Sequence, residues 1–147
     1  MRFMMLMIPR VYQPEAEKED VALTGMPPAD LVAKMMKYNE DLQKAGILLA
    51  LDGLHPLSKG ARVSFPGGKP QVVDGPYAEA KEVLGGYWVI QVKSKEEAVE
   101  WARRCPALEG DVIELRQVQE MTDWPDDVQE VVSQFPDLEA QFGQNKS

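Results

Sequence analysis

The chain has 147 residues, 44% hydrophobic and 27% charged, the proportions of an ordinary globular domain, with a formal net charge of −8. Residues 119–147 hold seven acids against one base, a net −6 that leaves −2 for residues 1–118. Neither part offers the basic stripe that phosphate neutralisation requires, which argues against direct nucleic-acid binding and against an anionic membrane surface. No apolar run approaches the roughly 18 residues of a membrane span.

Phe3 to Ile8 is a continuous apolar run. It is too short for a signal-peptide core and is followed by Pro9 and Arg10, so it reads as a buried first strand. Residues 9–26, with Pro9, Pro14 and mixed charges, read as a long solvated loop. Pro27 and Pro28 then open a helix, and Leu31, Met35, Tyr38, Leu42 and Ala45 form one apolar stripe along it up to Gly46. Ile47 to Leu51 is a second strand. Ala61 to Phe65 and Gln71 to Asp74 flank the turn Pro66-Gly67-Gly68-Lys69-Pro70 as a hairpin. Gly86 to Val92 is rich in aromatic and β-branched residues, and its apolar side chains on both faces predict that both are covered. Tyr87 and Trp88 fall on opposite faces of it.

Ser94 with Glu97 has the spacing of a capping box. The helix behind it places Ala98, Trp101, Ala102 and Cys105 on one face and stops before Pro106. Residues 111–118 alternate as a last strand. In the tail, Val128, Val131, Phe135, Leu138 and Phe142 recur at helical steps, with Asp123 as a candidate cap and Pro136 splitting the pattern into two short helices or a kink.

The order β-α-β, hairpin, β-α-β predicts an α+β, ferredoxin-like fold of the dimeric α/β-barrel type, with helices on one face of an antiparallel sheet. The other face needs a cover, which a tail helix or a second subunit would supply, and the apolar character of the central strand on both faces is the physical argument for a homodimer. The division expected is a ferredoxin-like domain over 1–118 and an acidic helical extension over 119–147. The single cysteine, Cys105, excludes an intramolecular disulfide and fits a cytoplasmic protein. It reads as a small apolar residue rather than a nucleophile.

The densest group of special residues is Asp74-Gly75-Pro76-Tyr77 with Glu79, Lys81 and Glu82 behind it. Asp-Gly-Pro is turn chemistry, so the segment is either a loop-borne site or an Asx-turn followed by solvated charges. His55, the one histidine, is either a general base oriented by Asp74 or a plain loop residue. Arg116 is either an anion clamp or the partner of a nearby glutamate. One histidine and a distant cysteine cannot form a zinc centre, so no metal is expected. Gly67-Gly68 leads into a strand rather than a helix and makes no phosphate loop, and no other cofactor is expected.

The stretch Val72 to Glu82 followed by Gly85-Gly86-Tyr87 resembles the YCII-related domain family, in the branch marked by an Asp-Gly-Pro-Phe (DGPF) motif. Gly53-Leu54-His55-Pro56, Glu97-Ala98, Trp101-Ala102, Cys105-Pro106 and Glu114-Leu115-Arg116 extend the resemblance over roughly residues 1–118. It implies a ferredoxin-like dimer with paired sheets and a cleft near the motif. Members of the branch carry descriptions that range from uncharacterised to enzyme to associate of transcription sigma factors. Tyr77 replaces the motif's phenylalanine, and Gln117 stands where the branch often has proline. The first helix lacks the histidine carried there by the family's main branch. Two functions follow as expectations, beside the plain reading that the motif only braces a subunit interface. One is a small-molecule or acid–base site in a dimer cleft, with Asp74 and His55 catalytic and Arg116, Tyr77, Glu79, Lys81, Glu82 and Tyr87 contacting substrate. The other is a non-catalytic binding or regulatory dimer.

Overall fold

A computed structural model describes residues 1–13, 28–75 and 82–143. The chain forms two compact units, Met1–Arg116 and Gln117–Ser147.

The first unit is built on a four-stranded sheet. Its strands are β1 (Arg2–Ile8), β2 (Leu48–Gly53), β5 (Gly86–Gln91) and β6 (Val112–Gln117), in the spatial order β2-β5-β1-β6. Strands β3 (Ala61–Ser64) and β4 (Gln71–Asp74) form a separate hairpin between β2 and β5. Apart from this insertion the order is that of a ferredoxin-like split βαβ fold, as the sequence predicts. β5 pairs antiparallel with β1 through Met5↔Trp88 and with β2 through Leu51↔Trp88.

Alternation along these strands sends Phe3, Met5, Met7, Trp88 and Ile90 to one face, where all are buried. Helix α1 (Ala29–Lys44) supplies Tyr38 and Leu42 to this core, and α2 (Lys95–Arg103) supplies Ala98. Tyr38 meets Trp88 edge to face at 5.9 Å, and its hydroxyl donates to the Trp101 carbonyl at 2.7 Å. Burial holds the Tyr38 phenol well above its usual range. Ile113 and Leu115 of β6 pack against the same core.

The opposite sheet face is less covered within the chain. Met4, Leu6, Tyr87 and Val89 are half-buried, and Val112 is exposed. β5 is therefore fully buried on its helix face alone. The hairpin is exposed along both strands, with Val63, Phe65, Val72 and Val73 open to solvent.

Local signals read from the sequence hold with small corrections. Pro28 is the N-cap of α1 rather than a residue of its first turn. At the other end Gly46 donates to the Gln43 carbonyl at 2.9 Å and Ile47 to the Leu42 carbonyl at 3.3 Å, a Schellman closure. Ser94 Oγ accepts from the Glu97 amide at 3.1 Å, but the Glu97 carboxylate returns to the Lys93 amide at 2.8 Å, one residue earlier than a capping box requires. The long loop read over residues 9–26 begins as a 3-10 turn at Arg10–Tyr12, and residues 14–26 lie outside the described residues.

The second unit contains α3 (Asp126–Ser133) and α4 (Pro136–Gly143). Pro136 opens α4, so the tail is two short helices, one of the two outcomes expected. Asp123 does not cap α3, whose N-cap is Pro125. Instead it closes the preceding 3-10 turn by accepting from the Glu120 amide at 2.8 Å. Trp124 meets Phe142 edge to face at 5.7 Å. Among the described residues no helix is long and apolar enough to cross a membrane.

Candidate functional site

A cavity of about 550 Å³ opens at the end of the sheet where β1 and β2 finish and β5 begins. Its origin lies in α1. The apolar stripe of that helix runs from Leu31 to Leu42, but only Tyr38, Asn39 and Leu42 are buried. In the first two turns Leu31, Val32 and Met36 stand clear of the core and, with Met35, which also packs against it, form one wall. Met7, Leu51 and Trp88 of the sheet form the other. Pro9, Val11 and Tyr12 close one end, and Gly53, Leu54, His55, Leu108 and Asp111 border another. This size and apolar lining are typical of small-molecule sites.

The rim is fixed by backbone hydrogen bonds. Gly85 donates to the Met7 carbonyl at 2.8 Å, and Leu54 donates to the Gly85 carbonyl at 2.9 Å. A side chain at residue 85 would place its Cβ 2.5 Å from Pro9 Cγ, so this approach demands glycine. The Gln13 amide clamps the buried Val83 from both sides, accepting from its N–H at 2.9 Å and donating to its carbonyl at 3.0 Å. Tyr12 donates to the Leu54 carbonyl at 3.4 Å, and partial burial raises its pKa.

Two polar features stand out on the wall. Asn39 is only 8% exposed, and its Oδ1 accepts from Trp88 Nε1 at 2.8 Å. Asp111 is occupied locally: Oδ1 accepts from the Arg10 amide and Oδ2 from the Leu108 amide, both at 2.9 Å. His55 lines the cavity with no hydrogen bond or ion pair to the described residues.

The residues singled out by sequence divide into groups. His55 and Tyr87 border the cavity, whereas Asp74, Glu82 and Arg116 are not among its lining residues. The Tyr87 side chain shares the open sheet face with Asp52, its paired residue, and donates to Asp52 Oδ2 at 2.6 Å. That bond and the carboxylate charge raise the Tyr87 pKa. Arg116 forms an exposed ion pair with Glu114 at 3.6 Å, a contact of little energetic weight. Asp74 sits exposed at the end of β4, opposite Ala61. Gly75 after it donates to the Gly60 carbonyl at 2.9 Å, and a Cβ there would lie 1.7 Å from the Leu57 carbonyl oxygen. Tyr77, Glu79 and Lys81 lie outside the described residues.

Cys105 is partly buried, and that burial, aided by the Asp111 charge, pushes its thiol up to about 11. A thiol so disposed is protonated at neutral pH and a poor nucleophile. Among the described residues no three His, Cys, Asp or Glu side chains come together as a metal site.

Sequence reasoning missed Asn39 and Gln13. For Asn39 a signal was present: Leu31, Met35 and Asn39 follow at steps of four, which places a polar residue on an apolar row. Gln13 had none, because its partner Val83 is 70 residues away.

A family model, the YCII-related domain, matches residues 1–122, and the chain belongs to that family. An uncharacterised protein of Rhizobium meliloti (strain 1021) is 39% identical over 74 residues. The match covers 50% of this chain and 56% of that relative, little more than half its length.

Proposed function

We propose that this YCII-related chain binds a small, mostly apolar molecule in the cavity between α1 and the sheet, with His55 as the acid–base group on its wall. The observation that carries the proposal is the placement of the lone histidine on an apolar cavity of about 550 Å³. Imidazole is the side chain best suited to moving protons near neutral pH. A binding role without chemistry is the second reading. It is favoured by the lack of any carboxylate orienting His55 among the described residues.

The proposal includes a cytoplasmic homodimer and membership of the Asp-Gly-Pro branch. The half-buried apolar face of Met4, Leu6 and Val89 supports the dimer, since a second copy would cover it. Asp74 and Arg116 line no part of the cavity in their own protomer. A direct role for either therefore requires the neighbouring protomer to present it.

A thermal-shift ligand screen on wild type, Val32→Trp, His55→Ala and Asp74→Asn tests this. Compounds that raise the wild-type Tm should lose much of their effect in Val32→Trp, whose indole would narrow the cavity. Under the acid–base reading His55→Ala still binds but no longer turns the ligand over. Ligands that stabilise wild type and Val32→Trp equally would remove the cavity from consideration. Loss of stabilisation in Asp74→Asn would bring the motif into the site.

A further inference from the structure

We propose that Asn39 makes the cavity selective for an uncharged ligand that carries one hydrogen-bond acceptor, such as a ketone carbonyl, on an apolar body. This rests on the binding role proposed above and adds the chemical class of the ligand.

The amide's orientation follows from its partner. The indole Nε1–H of Trp88 can only donate, so the atom 2.8 Å from it is the Asn39 oxygen. The NH₂ group is thereby turned away from Trp88. Its acceptor among the described residues is Met36 Sδ at 3.8 Å, and thioether sulfur accepts weakly. Asn39 is 92% buried (8% exposed) and borders the cavity, so this donor is poorly served by the protein. A ligand acceptor would serve it, whereas a pure hydrocarbon would leave it unmatched.

Charge narrows the class further. No Lys or Arg lines the cavity among the described residues, and Asp111 already accepts two backbone N–H groups. With the carboxylates of Asp52 and Asp111 at the border and His55 as the one basic side chain among the described lining residues, an anionic ligand would be desolvated against like charge. Apart from Tyr12, Asp52, His55 and Tyr87 at its border, the rest of the wall is apolar, with Met7, Met35 and Met36 able to adjust their shape around a guest.

The test uses the full-length protein and three probes of matched shape: 2-acetylnaphthalene, 2-ethylnaphthalene and 2-naphthoate. Titration calorimetry should show the ketone binding about tenfold tighter than the hydrocarbon, with the carboxylate weakest. In a ¹⁵N-labelled sample the Asn39 side-chain amide signals should shift with the ketone and not with the hydrocarbon. Asn39→Leu should abolish the preference. If that variant does not fold, the wild-type ratio and the amide shifts decide alone. Equal binding of ketone and hydrocarbon, or tightest binding of the carboxylate, overturns the selectivity and leaves cavity binding intact. Binding of none of the three overturns both.

Discussion

Gly75→Ala tests whether the glycine after Asp74 works as a structural clamp. The added Cβ would stand 1.7 Å from the Leu57 oxygen and 2.6 Å from its carbonyl carbon, both backbone atoms that cannot swing aside. Reaching even a tight 3.0 Å contact requires a backbone retreat of about 1.3 Å, the difference from 1.7 Å. That retreat stretches the 2.9 Å bond from the Gly75 amide to the Gly60 carbonyl. Overpacking of this kind costs about 1–3 kcal/mol and the lost bond about 1 kcal/mol. The damage should stay local, because every residue of β3 and β4 is exposed and none belongs to the core. A two-stranded hairpin has little stability of its own to absorb the cost. Amide exchange followed by NMR should show protection across the β3–β4 ladder falling by roughly 30-fold or more, the equivalent of about 2 kcal/mol. Amides of β1 and β5 should keep theirs. Gly53→Ala is the control, since a Cβ there meets nothing within 4 Å. Unchanged hairpin protection in Gly75→Ala, or an equal loss throughout the sheet, would refute the clamp.

Two further outcomes are expected. Gln13→Ala removes both bonds to the Val83 backbone and should cost about 1–3 kcal/mol in urea denaturation, with exchange rising first at the Val83 and Gly85 amides. For pH, the Cys105 thiol goes from an ordinary 9.0 to about 11 on folding, and Tyr38 also rises. A raised folded value stabilises the protein fully below the unfolded value, and the contribution is lost as pH climbs through the folded one. Stability from these groups is therefore level up to about pH 9 and declines toward pH 11, and Cys105→Ala should flatten part of that decline in urea melts at pH 7, 9 and 10.5.

Much of the architecture was legible because local signals and the global fold agree. The Phe3–Ile8 run, the stripe on α1, the Ser94 cap, the hairpin turn and the break at Pro136 each depend on neighbours a few residues apart. The ferredoxin-like strand order follows from two βα units around a hairpin. The site was less legible, because its parts are tertiary. Nothing in the spacing of Leu31, Met35, Tyr38 and Leu42 tells which turns of the helix reach the core and which stand clear of it. The indole of Trp88 can be placed on a face by alternation, but its pairing with Asn39 spans 49 residues. Gly75 looks like turn chemistry in sequence, while its requirement for glycine comes from the Leu57–Gly60 backbone pressed against it.

The split duty of α1 separates durability from recognition along a single helix. Its later turns hold Tyr38 and Leu42 in the core, Met35 bridges core and cavity, and Leu31, Val32 and Met36 line the cavity without belonging to the core. Descendants of such a sequence are free to exchange side chains in the opening turns and acquire new guests, while the anchoring half preserves the scaffold. Diversification among paralogues should then concentrate in those opening turns.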